Sequence, residues 1–162
     1  MAKARHAVPE GHHTLTPHLI LDDAARAIDW YKKALGAVEV MRSAGPDGKI
    51  MHAELRIGDS LIMLNDEMGG GKSAKARGGS PMSLWVYVED ADALFDRAVA
   101  AGGTVPEGPM GQIADQFWGD RAGSVADPGG YSWWIATRKE DLTRDEIRTR
   151  ADEFFKQMAA QR

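Results

Sequence analysis

The sequence predicts an α+β protein built from two tandem βαβββ modules. Two stretches share one order of features: a short strand, an aspartate, a helix and a glycine. Asp23 and Gly36 of the first stretch correspond to Asp90 and Gly103 of the second, at equal spacing. An aspartate oxygen accepts from the free amides at a helix start, and a glycine takes the left-handed conformation past its end. The repeat therefore predicts two copies of one folding unit.

A β-hairpin is predicted downstream of the first helix. Residues 52–57 alternate between polar and apolar, the period of a half-buried strand. A two-residue turn at Gly58-Asp59 fixes which residues of the next strand lie opposite. The expected pairs on the face away from the helix are Arg56 with Leu61, Glu54 with Met63 and His52 with Asn65.

The chain divides by composition into five expected segments. These are a flexible tail (1–12), a first module (13–68), a glycine-rich linker (69–81), a second module (82–138) and a C-terminal helix (139–162). Thr143 and Glu146 have the spacing of a capping box at the start of that helix. Its apolar stripe must pack on the modules or on a second chain, and consists of Ile147, Ala151, Phe154, Phe155 and Met158.

Composition limits the functional classes. The net charge is −4, so no broad positive field favours nucleic acid. Cysteine is absent, which removes disulfides and thiolate chemistry. No run of about 18 apolar residues predicts a membrane span, and residues 1–13 lack the apolar segment of a secretory signal. We expect a cytoplasmic protein with neither nucleic acid nor membrane as a partner.

The sheet face away from the helices combines aromatic and polar side chains, as a small-molecule pocket requires. Strand alternation assigns these candidate ligand-binding residues: Thr16, His18, Met63, Asn65, Ser83, Trp85, Tyr87 and Trp134. Phe117 and Trp118, from a long loop, are expected to close over them. In the alternative interpretation, the sheet forms a small barrel, and Trp85 and Trp134 only fill its interior.

His52 and Glu54 lie on one strand face and are the candidate catalytic pair, with Glu54 orienting His52 as a general base. With His18 they could instead bind a metal ion. A third interpretation is a structural polar pair in which Arg56 neutralises Glu54. Asp120-Arg121 is expected to be a surface or loop-fixing pair, and no role is assigned to the tail histidines His6, His12 and His13.

The chain resembles the vicinal oxygen chelate superfamily of glyoxalase I, bleomycin-resistance proteins and extradiol dioxygenases, and within it the PhnB-like branch. The resemblance runs from about residue 12 to residue 150. Its motifs are Thr16-Pro17, Asp22-Asp23-Ala24, Trp30-Tyr31-Lys32-Lys33-Ala34-Leu35-Gly36-Ala37, His52-Ala53-Glu54-Leu55, Gly58-Asp59-Ser60, Gln116-Phe117-Trp118-Gly119-Asp120-Arg121 and Asp127-Pro128-x-Gly130. The resemblance implies a partial barrel enclosing a cleft, often in a homodimer. The sequence departs from the branch at Tyr131, where His is common, and at His18, where Tyr is common.

The resemblance also implies how the chain differs from the enzymes of the superfamily. Their four metal-ligand positions fall on Thr16, Met63, Ser83 and Trp134, none of which is a histidine or a carboxylate. Lewis-acid catalysis needs hard oxygen or nitrogen ligands, so no metal cofactor is expected. The resemblance then implies binding of a small aromatic or amphipathic molecule, as in bleomycin-resistance proteins. The alternative is a lyase, isomerase or dioxygenase-like enzyme that uses His52 and Glu54 or a relocated metal site.

Overall fold

The computed structural model describes residues 4–108 and 110–160, and each module forms a four-stranded mixed sheet. The strands of the first module are His18–Leu21 (β1), Val38–Ala44 (β2), Ile50–Ile57 (β3) and Ser60–Asp66 (β4). Those of the second are Ser83–Tyr87 (β5), Ala114–Asp115 (β6), Asp120–Ala126 (β7) and Ser132–Arg138 (β8). The helices are Ala24–Leu35 (α1), Ala91–Ala100 (α2) and Arg144–Ala160 (α3), with a short 3₁₀ turn at Lys75–Arg77.

The two sheets have the same topology. Sheet A has the order β1-β4-β3-β2 and sheet B the order β5-β8-β7-β6. In each sheet the first strand runs parallel to the last strand of its module, and the other pairs are antiparallel. This arrangement confirms the predicted tandem βαβββ fold, with sheets that remain open rather than closing into a barrel.

The start of both helices confirms the predicted aspartate caps. Asp23 Oδ1 accepts from the Arg26 amide at 3.0 Å, and Asp90 Oδ1 accepts from the Ala93 amide at 2.9 Å. The predicted left-handed glycine is confirmed at the end of α1, where Gly36 has a φ of +68°, but not at the end of α2.

The prediction for the end of α2 was wrong by one residue. Gly102, with a φ of +97°, takes the left-handed conformation that was expected of Gly103. Gly103 is required for a different reason, since a Cβ at this position would lie 2.3 Å from Val125 Cγ1. Close packing between the helix end and β7 therefore excludes a side chain at Gly103.

The β3–β4 hairpin has the predicted register, because Arg56 lies opposite Leu61 and Glu54 opposite Met63. The alternation of residues 14–21 predicts a first strand with Leu15 on its core face, and this prediction was wrong: the strand begins at His18, and Leu15 is 85% exposed. Pro17 has no amide hydrogen to donate, although its carbonyl accepts from the Met63 amide at 2.8 Å. The chain therefore enters the sheet at Pro17 and leaves Leu15 outside the core.

A buried carboxyl group joins the two modules. Asp127 Oδ2 accepts from the Tyr31 hydroxyl at 2.6 Å and from Trp133 Nε1 at 2.9 Å. Its Oδ1 accepts from the amides of Gly129 and Tyr131, both at 2.9 Å. Burial raises the pKa of Asp127 and, with the neighbouring Asp127 charge, raises that of Tyr31. The group ties α1 to the turn between β7 and β8 inside one continuous apolar core.

Tyr131 protects the open edge of sheet A. Its hydroxyl donates to the Ile20 carbonyl and accepts from the Ile20 amide, each at 3.1 Å. An uncovered edge strand is a template for unwanted pairing, and this contact satisfies both backbone groups of Ile20. Tyr131 thus has a structural role at the edge of sheet A.

The C-terminal helix α3 lies against the second module through few contacts. The capping box is confirmed: the Thr143 amide donates to Glu146 Oε2 at 2.7 Å and the Glu146 amide to Thr143 Oγ1 at 3.3 Å. The ring of Phe117 lies 5.4 Å from that of Phe154 and 6.2 Å from that of Phe155. No residue of α3 is buried within its described length, so the modules cover its apolar stripe only in part.

None of the helices within residues 4–108 and 110–160 is both long enough and apolar enough to cross a membrane.

Candidate functional site

Four aromatic side chains on the open face of sheet B form the principal candidate site. We refer to Trp85, Tyr87, Trp118 and Trp134 as the aromatic cluster. Trp85 and Trp134 are opposite each other on the parallel strands β5 and β8, so their rings stack with centroids 4.8 Å apart and planes 4° apart. Tyr87 stacks on Trp85 at 6.1 Å, and Trp118 meets Trp85 edge-on at 6.2 Å. The cluster forms one apolar platform.

The platform is accessible. Trp85 is 42% exposed and Tyr87 60% exposed, although large aromatic side chains usually bury most of their surface. Together with Met110 the cluster lines a cavity of about 360 Å³, which falls in the range of small-molecule sites. Strand alternation explains the arrangement, because the neighbouring Trp133 points to the opposite face and is 2% exposed. Trp85 and Trp134 therefore line an open surface and do not fill a closed barrel.

Asp120 holds the outer members of the cluster in place. Its Oδ2 accepts from the Tyr87 hydroxyl and from Trp118 Nε1, both at 3.0 Å, and its Oδ1 accepts from Arg138 Nη1 at 3.4 Å. The side chain is 1% exposed. Burial and the hydrogen bond to Asp120 raise the pKa of Tyr87, so its hydroxyl keeps its proton and donates. One carboxylate thus orients two aromatic side chains.

The expectation that Asp120 and Arg121 form a surface or loop-fixing pair was wrong. Asp120 is buried beneath the aromatic cluster, whereas Arg121 pairs with Asp92 at 2.5 Å and Asp115 at 3.1 Å. Successive residues of β7 point to opposite faces, which separates the two side chains. A signal for Asp120 was present in the sequence, since Trp118 and Asp120 are two residues apart around Gly119.

The open face of sheet A carries a second, polar group of candidates. His52 Nε2 lies 3.2 Å from Glu54 Oε1, which brings the predicted pair together. His18 does not join them, because its Nε2 bonds to Asn65 Oδ1. Asn65 in turn donates to the Asp66 carbonyl at 2.6 Å. The proposed metal site of His18, His52 and Glu54 is therefore not formed.

Sequence reasoning missed His12. Its side chain is only 7% exposed, and its Nε2 lies 3.8 Å from Glu54 Oε1, the same oxygen that His52 contacts. Within the described residues, the ion-pair partners of Glu54 are thus two histidines and not the expected Arg56. No sequence pattern connects the tail to β3, so only the folded chain reveals this contact.

The remaining candidates occupy separate positions. Thr16 Oγ1 donates to the His13 carbonyl at 3.3 Å, Met63 is half-buried opposite Glu54, and Ser83 is exposed at the start of β5. Phe117 turns toward α3, so of the two loop residues only Trp118 reaches the aromatic cluster. Within the part of the chain that the structure describes, no hydrogen bond or ring contact of a candidate residue connects sheet A to sheet B.

No group of three or more histidine, aspartate or glutamate side chains in residues 4–108 and 110–160 is arranged to hold a metal ion. The positions Thr16, Met63, Ser83 and Trp134 offer no such donors either.

Comparison with known proteins identifies the family. The profile of the Glyoxalase/Bleomycin resistance protein/Dioxygenase superfamily matches residues 11–135. The chain therefore belongs to this superfamily, as its sequence motifs and its fold indicate. An uncharacterised protein of Mycobacterium bovis is 49% identical over 138 residues, which cover 82% of this chain and 88% of the relative.

Solved structures of other proteins have the same fold. TioX from Micromonospora sp. ML1 is 27% identical with a TM-score of 0.60, over 81% of this chain and all of TioX (100%). A bleomycin-binding protein, solved in complex with bleomycin, is 20% identical with a TM-score of 0.55, over 80% of this chain and 99% of that protein. At this identity the second likeness concerns the fold alone.

Proposed function

We propose that the protein binds a small, flat aromatic molecule on the aromatic cluster of sheet B without transforming it. The observation that carries the proposal is the parallel stack of Trp85 and Trp134, with ring centroids 4.8 Å apart. The neighbouring side chain of Tyr87 is 60% exposed. Flat apolar faces favour offset stacking with another ring. The bleomycin-binding protein, solved in complex with bleomycin, is an example of a protein with the same fold that holds a small molecule.

The cavity supports a ligand of limited size. Its volume of about 360 Å³ is at the lower end of small-molecule sites, and three indole rings and one phenol ring line it. Asp120 already fixes Tyr87 and Trp118, so a ligand meets side chains that need little further ordering. Such preorganisation reduces the entropy lost on binding.

Replacing Trp85 with alanine is expected to weaken binding of proflavine, a planar tricyclic probe, about five- to 150-fold, because one stacked ring contributes roughly 1–3 kcal/mol. Calorimetric titration of the purified protein measures the dissociation constant without depending on tryptophan fluorescence. Phe155→Ala is the matched control, since Phe155 is 59% exposed and lies on α3 outside the cluster. Equal loss of affinity in both variants, or no binding by the wild type to any of a panel of flat aromatic probes, would contradict the proposal.

A second candidate function is acid–base catalysis on sheet A. The observation that favours it is the contact of 3.2 Å between His52 Nε2 and Glu54 Oε1, in which the carboxylate can orient the imidazole. If this proposal holds, His52→Ala abolishes turnover of a lyase or isomerase substrate and leaves the thermal unfolding temperature nearly unchanged, since the His52 side chain is 35% exposed. Full activity in this variant would eliminate the candidate.

We propose placement in the PhnB-like branch on the motifs that surround Trp30 and Trp118, and a homodimer on the incompletely covered apolar stripe of α3. We also propose a cytoplasmic location on the composition of the sequence. Size-exclusion chromatography with light scattering measures the mass of the assembly.

A further inference from the structure

We propose that His12 and Glu54 form a proton-operated latch, which closes the N-terminal segment, residues 9–14, over the open face of sheet A. The inference concerns sheet A and does not rest on the aromatic ligand proposed for sheet B. Three observations carry it: the position of the segment, the hydrogen-bonding state of the His12 ring and the burial of its Nε2 atom.

The segment covers the end of the β3–β4 hairpin. The His12 amide donates to the Pro9 carbonyl at 3.1 Å, which turns the chain toward the sheet. Gly11 lies so close to Leu61 that a Cβ at Gly11 would be 3.4 Å from Leu61 Cδ1. Leu61 belongs to the face away from the helices, opposite Arg56, and yet is only 7% exposed. The segment accordingly lies on this face in the closed state.

The neutral His12 ring has its two nitrogens in unequal positions. Its Nδ1 lies 3.4 Å from the Glu10 carbonyl oxygen. A neutral imidazole carries one ring hydrogen, so it can donate from Nδ1 or from Nε2 but not from both. Nε2 is buried without any hydrogen-bond partner, and Glu54 Oε1 lies 3.8 Å away. The ring therefore lies between two acceptors, the Glu10 carbonyl and Glu54 Oε1, and only the protonated ring carries a hydrogen for each.

A second ring proton supplies the missing donor. The imidazolium then faces a carboxylate across a buried contact, and a small approach from 3.8 Å converts this ion pair into a charge-assisted hydrogen bond. Protonation of the ring therefore favours the closed segment, and deprotonation favours its release. Release uncovers Leu61 together with Glu54.

Other charged groups define the surroundings of the latch. From β3, His52 contacts the same Glu54 oxygen at 3.2 Å, and Arg56 lies on the same face but is exposed. His18 of β1 shares this face and is hydrogen-bonded to Asn65 of β4. On β2, the uncharged Met41 lies opposite Glu54, and the uncharged Ser43 lies opposite His52. The segment itself adds Glu10 and His13, both exposed. His52 is 35% exposed and reaches water, whereas His12 does not.

Amide hydrogen exchange measured by NMR tests the latch on the full chain. The protection factor of the His12 amide, which donates to the Pro9 carbonyl, is expected to rise roughly ten- to a hundredfold after correction for intrinsic exchange as the pH is lowered from about 8 to about 5.5. Nuclear Overhauser contacts between Gly11 and the Leu61 methyl groups should strengthen in parallel. His12→Gln and Glu54→Gln are expected to remove this rise.

His13→Gln is the matched control, since this neighbouring imidazole is exposed and has no contact with Glu54 in the described structure. This variant and His52→Gln should keep the pH-dependent protection. A wild-type segment whose protection does not change with pH would overturn the proposal. So would a rise that persists in His12→Gln or disappears in His52→Gln alone, because the proton would then act elsewhere.

Discussion

Replacing Asp127 with alanine is expected to destabilise the folded protein by about 3–5 kcal/mol, because four buried donors lose their acceptor at once. These donors are the Tyr31 hydroxyl, Trp133 Nε1 and the amides of Gly129 and Tyr131. Burial also raises the pKa of Asp127, so the alanine removes a group that is held at a desolvation cost. The unsatisfied donors outweigh this relief. Equilibrium unfolding in urea, monitored by tryptophan fluorescence, measures the difference.

Two further variants provide reference values for the loss in the free energy of unfolding. Tyr31→Phe removes one donor and leaves three, so a loss of about 1–2 kcal/mol is expected. Asp29→Ala, an exposed aspartate on the same helix, should change the free energy of unfolding by less than about 0.5 kcal/mol. If Asp127→Ala is no more destabilising than Asp29→Ala, the carboxyl group does not connect the modules energetically.

Local features of the fold were predictable from the sequence. The aspartate caps of α1 and α2, the capping box of α3 and the Gly58-Asp59 hairpin register each depend on residues close together in the chain. Alternation along β5 and β8 also separated the core residue Trp133 from the platform residues Trp85 and Trp134. In these cases the physical cause lies within one turn or one strand pair.

Features that depend on distant packing were not predictable. The expected β1 strand included Leu15 because of its spacing, but Pro17 decides where the ladder begins. Aspartate is typical of surface loops, and only the surrounding donors show why Asp127 is buried. For Asp120 the spacing from Trp118 is visible in the sequence, but the second donor, Tyr87, lies 33 positions away. The contact of His12 with Glu54 joins residues more than forty positions apart, and no local pattern encodes it.

Both buried aspartates follow the same physical rule at different depths. Asp127 collects donors from α1 and sheet B inside the core, whereas Asp120 collects donors from side chains that reach the surface. A buried carboxylate must be hydrogen-bonded, so each one fixes the groups that surround it. For Asp127 the consequence is stability, and for Asp120 it is the geometry of the candidate site.

Replacing Asp120 with alanine is therefore expected to weaken binding of a flat aromatic probe such as proflavine roughly five- to a hundredfold. Tyr87 and Trp118 lose their common acceptor, and each freed side chain must be ordered again on binding, which costs about 0.5–1.5 kcal/mol per side chain. The stack of Trp85 on Trp134 does not involve Asp120 and should persist. Calorimetric titration below the unfolding temperature of the variant measures the affinity of folded protein.

Asp115→Ala is the matched control for this variant. Asp115 is exposed on the neighbouring β6 strand and pairs only with Arg121 among its described contacts, so its removal should leave the affinity unchanged. If Asp120→Ala lowers the unfolding temperature but keeps the wild-type affinity, the carboxylate serves stability alone. A loss of affinity confined to Asp120→Ala would instead mean that the position of Tyr87 and Trp118, and not merely their presence, determines binding.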